Sequence, residues 1–125
     1  WLVSQTRYTL EAMSLEIPEG GAPEGESTEL CAHRELREEV GLTATDMQHL
    51  MTLHLSNSVT DERCEVYVAK GLSVVSAEPE ASEDITIHKV PFREALAKTL
   101  NGEITDAISV AAIQRYALQL QMDEC

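Results

Sequence analysis

Apolar and polar side chains alternate over residues 1 to 9 and again over 14 to 17, the two-residue period of half-buried β-strands. A turn near Glu11-Ala12 separates the two runs, and Pro18 ends the second because it cannot donate to a strand ladder. The Gly-, Pro- and Glu-rich stretch next in the chain, residues 18 to 26, is loop chemistry. The period then lengthens to that of a helix. Ser27 is placed to cap its first orphan N–H groups, Glu29 lies in its first turn, and Gly41 supplies the stop after Val40. Met47 to Leu55 and Cys64 to Leu72 predict two strands of a hairpin around the polar loop Ser56 to Arg63. An acidic loop, Ser76 to Asp84, precedes a strand over Ile85 to Val90 and a helix over Pro91 to Leu100, with Gly102 beyond its end. Asp106 caps a last helix, running to about Gln121, whose apolar face carries Ile108, Ala112, Tyr116 and Leu120 or their neighbours.

Length and charge narrow the role. The 125 residues suit a single domain, 1–125. With 22 acidic against 9 basic side chains the formal charge is -13, and one Trp, three Tyr and one Phe leave few stacking platforms, which argues against nucleic acid as a partner. A polyanionic ligand would need cations between it and the protein, so divalent metal is the first cofactor to seek. Cys31, Cys64 and Cys125 form no close pair, and their odd number points to a reducing, cytoplasmic setting. No apolar run approaches the roughly 18 residues of a membrane span. The chain opens on Trp1-Leu2-Val3, already strand-like and without an initiator Met, so residues are expected upstream.

The helix from Ser27 to Val40 carries an oddity. At about 100° per residue Glu35, Glu38 and Glu39 share one arc, beside an apolar arc of Ala32, Leu36 and Val40. Acids three and four apart repel by roughly 0.2–0.5 kcal/mol per pair, and two of these stand near the negative end of the helix dipole. A hard divalent ion such as magnesium reverses the sign of that interaction. A solvated face neutralised by Arg34 and Arg37 is the plainer reading of the helix taken alone.

The surrounding pattern decides between them. Gly20, Glu26, Arg34, Glu35, Leu36, Glu38, Glu39, Gly41 and Leu42 fit G-x5-E-x7-R-E-U-x-E-E-x-G-U, with U apolar, over residues 20–42. At typical residue usage a chance match is on the order of 10⁻⁸ per window. The segment resembles the Nudix box. That resemblance implies an α/β/α sandwich with a mixed central sheet, and water-driven cleavage of a diphosphate with magnesium, or manganese in its place. It makes Glu35, Glu38 and Glu39 the metal ligands or their partners, adds the Glu19 main-chain carbonyl, and lets Gly20 turn the loop. Glu26 and Arg34 then brace one another in support of the metal face. The proton-accepting carboxylate falls to Glu83, with Glu80 and Glu35 as alternatives. His33, His49, His54 and His88 show no metal-ligand spacing.

Segments outside the box suggest a branch. Gln5-Thr6-Arg7-Tyr8, Leu15-Glu16-Ile17-Pro18 and Gly102-Glu103-Ile104-Thr105-Asp106 resemble ADP-ribose and nucleotide-sugar pyrophosphatases. By that likeness Arg7 contacts substrate phosphate, and Glu62 resembles a recurring acid that assists the metal site. The same likeness implies a nucleoside monophosphate and a sugar phosphate as products. A proline common in ADP-ribose cleavers is missing from Ser56-Asn57-Ser58-Val59, so nucleotide sugars stand beside ADP-ribose as substrates. The branch also implies a homodimer built with N-terminal strands ahead of this segment. A module that binds a nucleotide without cleaving it is the alternative, against which the complete acid set argues.

Overall fold

A computed structural model describes residues 1–75 and 85–124. Glu78, Glu80 and Glu83, the acids of the loop before the fifth strand, lie outside the described residues. In chain order the elements are β1 (Leu2–Arg7), β2 (Ala12–Glu16), α1 (Thr28–Glu35), a π-helical turn (Leu36–Val40), β3 (Leu42–His54), β4 (Arg63–Val74), β5 (Thr86–His88), α2 (Phe92–Leu100) and α3 (Ala107–Asp123). They divide into two compact units, Trp1–Pro18 with Ala81–Cys125, and Glu19–Glu80.

The first unit is a three-stranded antiparallel sheet, ordered β2-β1-β5, with helices α2 and α3. Its register sets Val3 opposite Glu16 and Arg7 opposite Ala12 on one side of β1, and Leu2 opposite His88 on the other. Leu2, Ala95, Ile104 and Ile113 form the buried core, joined by Leu15, Ile17, Val90, Leu96 and Val110. Phe92 and Tyr116 meet edge to face with ring centroids 5.4 Å apart, which ties α2 to α3. On α3 the buried positions are Ser109, Ala112 and Ile113, whereas Leu120 is exposed. The inward stripe is thus rotated from the apolar face read from sequence. A polar residue heads it because the Ser109 hydroxyl is satisfied internally, donating to Asp106 Oδ2 at 2.7 Å and accepting from Ile17 N–H at 2.9 Å.

The second unit joins α1 and the π-helical turn to the long hairpin of β3 and β4. Gly41 ends the helix at φ 73°, ψ 30°, the left-handed cap that glycine adopts without a Cβ penalty. The chain therefore enters β3 at once. Leu42, buried and opposite Val74, opens the strand five residues before the sequence periodicity predicts it. Among the described residues of this unit, Cys31, Val40, Leu42 and Val66 are the buried apolar side chains. A register shift between His49 and Met51 bulges β3.

The mixed α/β class expected from the sequence is the class observed. Every strand pairing among the described residues is antiparallel, so the parallel neighbour that a mixed sheet requires is not among them.

Candidate functional site

The helix that carries the box begins as read. Ser27 is its N-cap, its side chain accepting from Leu30 N–H at 3.1 Å. The helix does not stay uniform to its end, because the last five residues, Leu36–Val40, widen into a π-helical turn. Such widened turns occur mainly as single insertions and often at functional positions. Here the turn holds Glu38 and Glu39, so their bearing relative to Glu35 differs from the uniform 100° spacing. One oxygen of Glu39, Oε2, is shielded from solvent, as is Oε2 of Glu19 in the preceding loop.

Arg34 gathers the acids. Its Nε and Nη2 donate to the two oxygens of Glu26 at 3.0 and 2.9 Å, a planar fork on a carboxylate. Its Nη1 reaches Glu35 Oε1 at 3.0 Å and Glu38 Oε2 at 3.1 Å, and Nη2 also meets the Gly21 carbonyl at 3.3 Å. One positive charge thus stands among three carboxylates. The hydrogen bond to Glu26, then the charges of Glu26, Glu35 and Glu38, hold the guanidinium proton even more firmly than usual. The same contact with Arg34 keeps the Glu26 carboxyl below the ordinary carboxylate range. Cys31, buried one turn before Arg34, has its thiol pushed up by burial and takes no part as an anion.

Gly20 is set by space. A Cβ built on it would fall inside the Glu35 carboxyl group, so the loop backbone lies directly against that side chain and any other residue would displace one or the other. Sequence spacing thus names five residues, Gly20, Glu26, Arg34, Glu35 and Glu38, that come into direct contact.

Arg7 has a different partner. Its Nε and Nη2 grip Glu16 at 2.8 and 2.5 Å. Glu16 is the functional candidate that strand alternation hides, because period-two reading puts Ser14 and Glu16 on the wet face of β2. Both are buried. The usable signal is the Leu15-Glu16-Ile17-Pro18 segment itself, an acid fixed just ahead of the box. A further cluster has no signature in the sequence: the β3 bulge lets His49 and Thr52 meet the same oxygen of Glu65, at 2.6 and 2.5 Å. Nearby, Tyr67 hydrogen-bonds Thr28 at the start of α1. Glu62, at the end of the polar loop, is exposed.

A helix crowded with acids, one arginine forked between them and a glycine under the first carboxylate define a class before any name. The description of the NUDIX domain matches residues 1–113, and the chain belongs to that family. Among characterised proteins it is 40% identical over 116 residues to the ADP-ribose pyrophosphatase of Mycobacterium tuberculosis, covering 90% of this chain and 56% of that one. It is 36% identical over 126 residues to the ADP-ribose pyrophosphatase of Bacillus subtilis, covering 96% and 68%. A crystal structure of an ADP compounds hydrolase superposes with a TM-score of 0.86 at 25% identity, over 98% of this chain and 66% of the other. The chain therefore spans about half to two thirds of the length of these relatives.

Proposed function

We propose that this chain hydrolyses the pyrophosphate bond of ADP-ribose or a related nucleoside diphosphate sugar, giving a nucleoside monophosphate and a sugar phosphate, with magnesium as cofactor. The observation that carries the reading is the Arg34 centre, where one guanidinium bridges Glu26, Glu35 and Glu38 and leaves the group two negative charges in excess. Hard carboxylate oxygens in surplus are the donor set that magnesium prefers, so the residues fit the ion. Glu35, Glu38 and Glu39 would hold it, with the Glu19 main-chain carbonyl as an added ligand. When bound, the ion supplies charge neutralisation for the diphosphate and acidity to a water.

The remaining work falls to side chains of the chain itself. Glu26 and Arg34 keep the box carboxylates in one place, and Gly20 lets the loop approach Glu35. Arg7 contributes donors to substrate phosphate. Glu83 takes the proton of the attacking water on its carboxylate, and Glu35 or Glu80 is the residue to examine should Glu83 prove dispensable. Similarity to two ADP-ribose pyrophosphatases supports the substrate class. A homodimer is the assembly we propose with it.

The test is a panel of ADP-ribose and nucleotide sugars incubated with magnesium, products resolved by chromatography. Nucleoside monophosphate and sugar phosphate should appear together. Replacing Glu39 by Gln should cut turnover by about a hundredfold or more while the far-ultraviolet circular dichroism stays unchanged. Equal product formation by wild type and Glu39→Gln ends the proposal.

A further inference from the structure

A pair of hydroxyls ties the first turn of α1 to the ribbon of β3 and β4: Thr28 Oγ1 and Tyr67 Oη are hydrogen-bonded at 2.6 Å. Apolar packing does not hold that turn, since Thr28, Glu29 and Leu30 are exposed and Cys31 is the first buried residue of the helix. Nor does the helix need the bond as a cap, because Ser27 already accepts from Leu30 N–H. The tyrosine is itself braced. At the bulge after His49 two residues of β3 stand opposite one of β4, which puts His49 and Thr52, three apart in sequence, on the face that carries Glu65 and Tyr67. His49 packs edge to face against the Tyr67 ring, centroids 5.4 Å apart, and its Nε2 is fixed on the same Glu65 oxygen that Thr52 reaches. Glu65, at the end of the series, keeps only 13% of its side chain exposed. Ordering these side chains on a two-stranded ribbon costs conformational entropy that hydrogen bonds near water barely offset. The outcome of the series is a Tyr67 hydroxyl held in one place.

We infer that Tyr67 is a positioning residue of the Arg34 centre: by mooring Thr28 it fixes the junction of the acidic loop with α1, and with it the reach of Glu26 onto Arg34. The inference rests on the proposed magnesium site and names a residue that keeps that site assembled. Glu26 stands two residues before Thr28 and forks on Arg34, six residues after it. Loop and helix must therefore meet at one angle for the fork to close. At its other end the helix passes through Gly41 straight into β3, and Val75 N–H donates to the Gly41 carbonyl at 2.9 Å. Both ends are thus tied to the same ribbon, with Arg34, Glu35 and Glu38 between the ties. Helix ends fray when nothing holds them, and a frayed first turn would let the Glu26 carboxylate swing away from the guanidinium. Arg34 would then draw more closely on Glu35 and Glu38, whose oxygens the ion needs. Tyr67 touches neither ion nor substrate in this scheme.

Magnesium binding without substrate tests it, measured by calorimetry for wild type, Tyr67→Phe, Thr28→Val and the double variant, alongside melting by circular dichroism and amide hydrogen exchange over residues 26 to 38. Each single variant should raise the magnesium Kd about fivefold, less than the loss of a direct partner of a ligand. Exchange over the first turn should speed up about fivefold in both. The double variant should be no worse than either single one, because both remove the same bond. Thr28→Ser, which keeps the hydroxyl, should stay within about twofold of wild type. KM for ADP-ribose at saturating magnesium should also stay within about twofold in Tyr67→Phe, since the residue acts on the ligands of the ion and not on substrate. A lower melting temperature with unchanged Kd in Tyr67→Phe and Thr28→Val overturns the inference and leaves Tyr67 a part of the ribbon, as does a double variant whose losses add. A raised KM with unchanged Kd overturns it as well. If wild type neither binds magnesium nor cleaves ADP-ribose, the proposed function fails instead, and exchange decides the mooring by itself: faster exchange in both variants supports it, equal exchange overturns it.

Discussion

Two arginines in this chain grip glutamates through the same edge, Nε with Nη2, and the likeness ends there. Arg7 makes its fork on Glu16, whose carboxylate is buried. Arg34 makes the same fork on Glu26 and then spends its remaining nitrogen on Glu35 and Glu38, so the charges do not cancel. A fork on a buried acid can be interior structure or a presented cation. A fork among acids in surplus, on a helix end that already disfavours them, asks for further positive charge. In the proposed function the first arginine answers to an anion and the second group to a metal.

The strongest way to break the comparison is Gly20→Ala. The added methyl would occupy the space of the Glu35 carboxyl, which must leave its contact with Arg34 or push the loop away. Because the glycine is required by space beside a catalytic candidate, the expected result is a fall in kcat of roughly tenfold to a hundredfold with little change in overall fold. Arg7 and Glu16 have no part in this, so pyrophosphate binding without metal should be unaffected. A fully active Gly20→Ala enzyme would detach Glu35 from the chemistry.

Magnesium itself should separate the two arginine centres. An ion that binds the folded chain alone stabilises it by mass action, so an excess of about a hundredfold over Kd should raise Tm by roughly 5 °C or more, read by scanning calorimetry. The shift should vanish in a Glu35→Gln, Glu38→Gln double variant. It should persist in Glu16→Gln. A double variant that melts higher than wild type without metal, and gains nothing with it, would be the sign of mutual repulsion relieved.

Most of this contrast is legible in the sequence. The box spacing names Gly20, Glu26, Arg34, Glu35 and Glu38 because each has a fixed partner within one loop and one helix, and short-range geometry is set by sequence separation. The hairpin and the caps Ser27, Gly41 and Asp106 come from local chemistry in the same way. Glu16 does not, since strand alternation tests only one face of a sheet and β2 has polar residues buried on the face that alternation assigns to water. Nor does the π-helical turn, whose widened register leaves the residue pattern of an α-helix unchanged. The β3 bulge is hidden for a related reason: an extra residue in a strand shifts facing without altering composition.

Glu65 offers the finest grading of the comparison, a carboxylate held at one oxygen by a hydroxyl and an imidazole. The Thr52 hydroxyl first, then His49, keep its carboxyl below the ordinary value of 4.5, while Arg63 lies farther off, Nε at 3.6 Å from the other oxygen. A depressed pKa in the folded chain means that the contribution is fully present above the unfolded value and is lost as pH falls through the folded one. The urea midpoint of wild type should therefore exceed that of Glu65→Gln by a constant margin at neutral pH, and the margin should close below about pH 4.5. Near the surface of a two-stranded ribbon that margin should be under about 1 kcal/mol. A margin that widens on acidification would mean that the protonated acid is the better partner for Thr52, and that hydroxyl donation rather than charge sets the cluster.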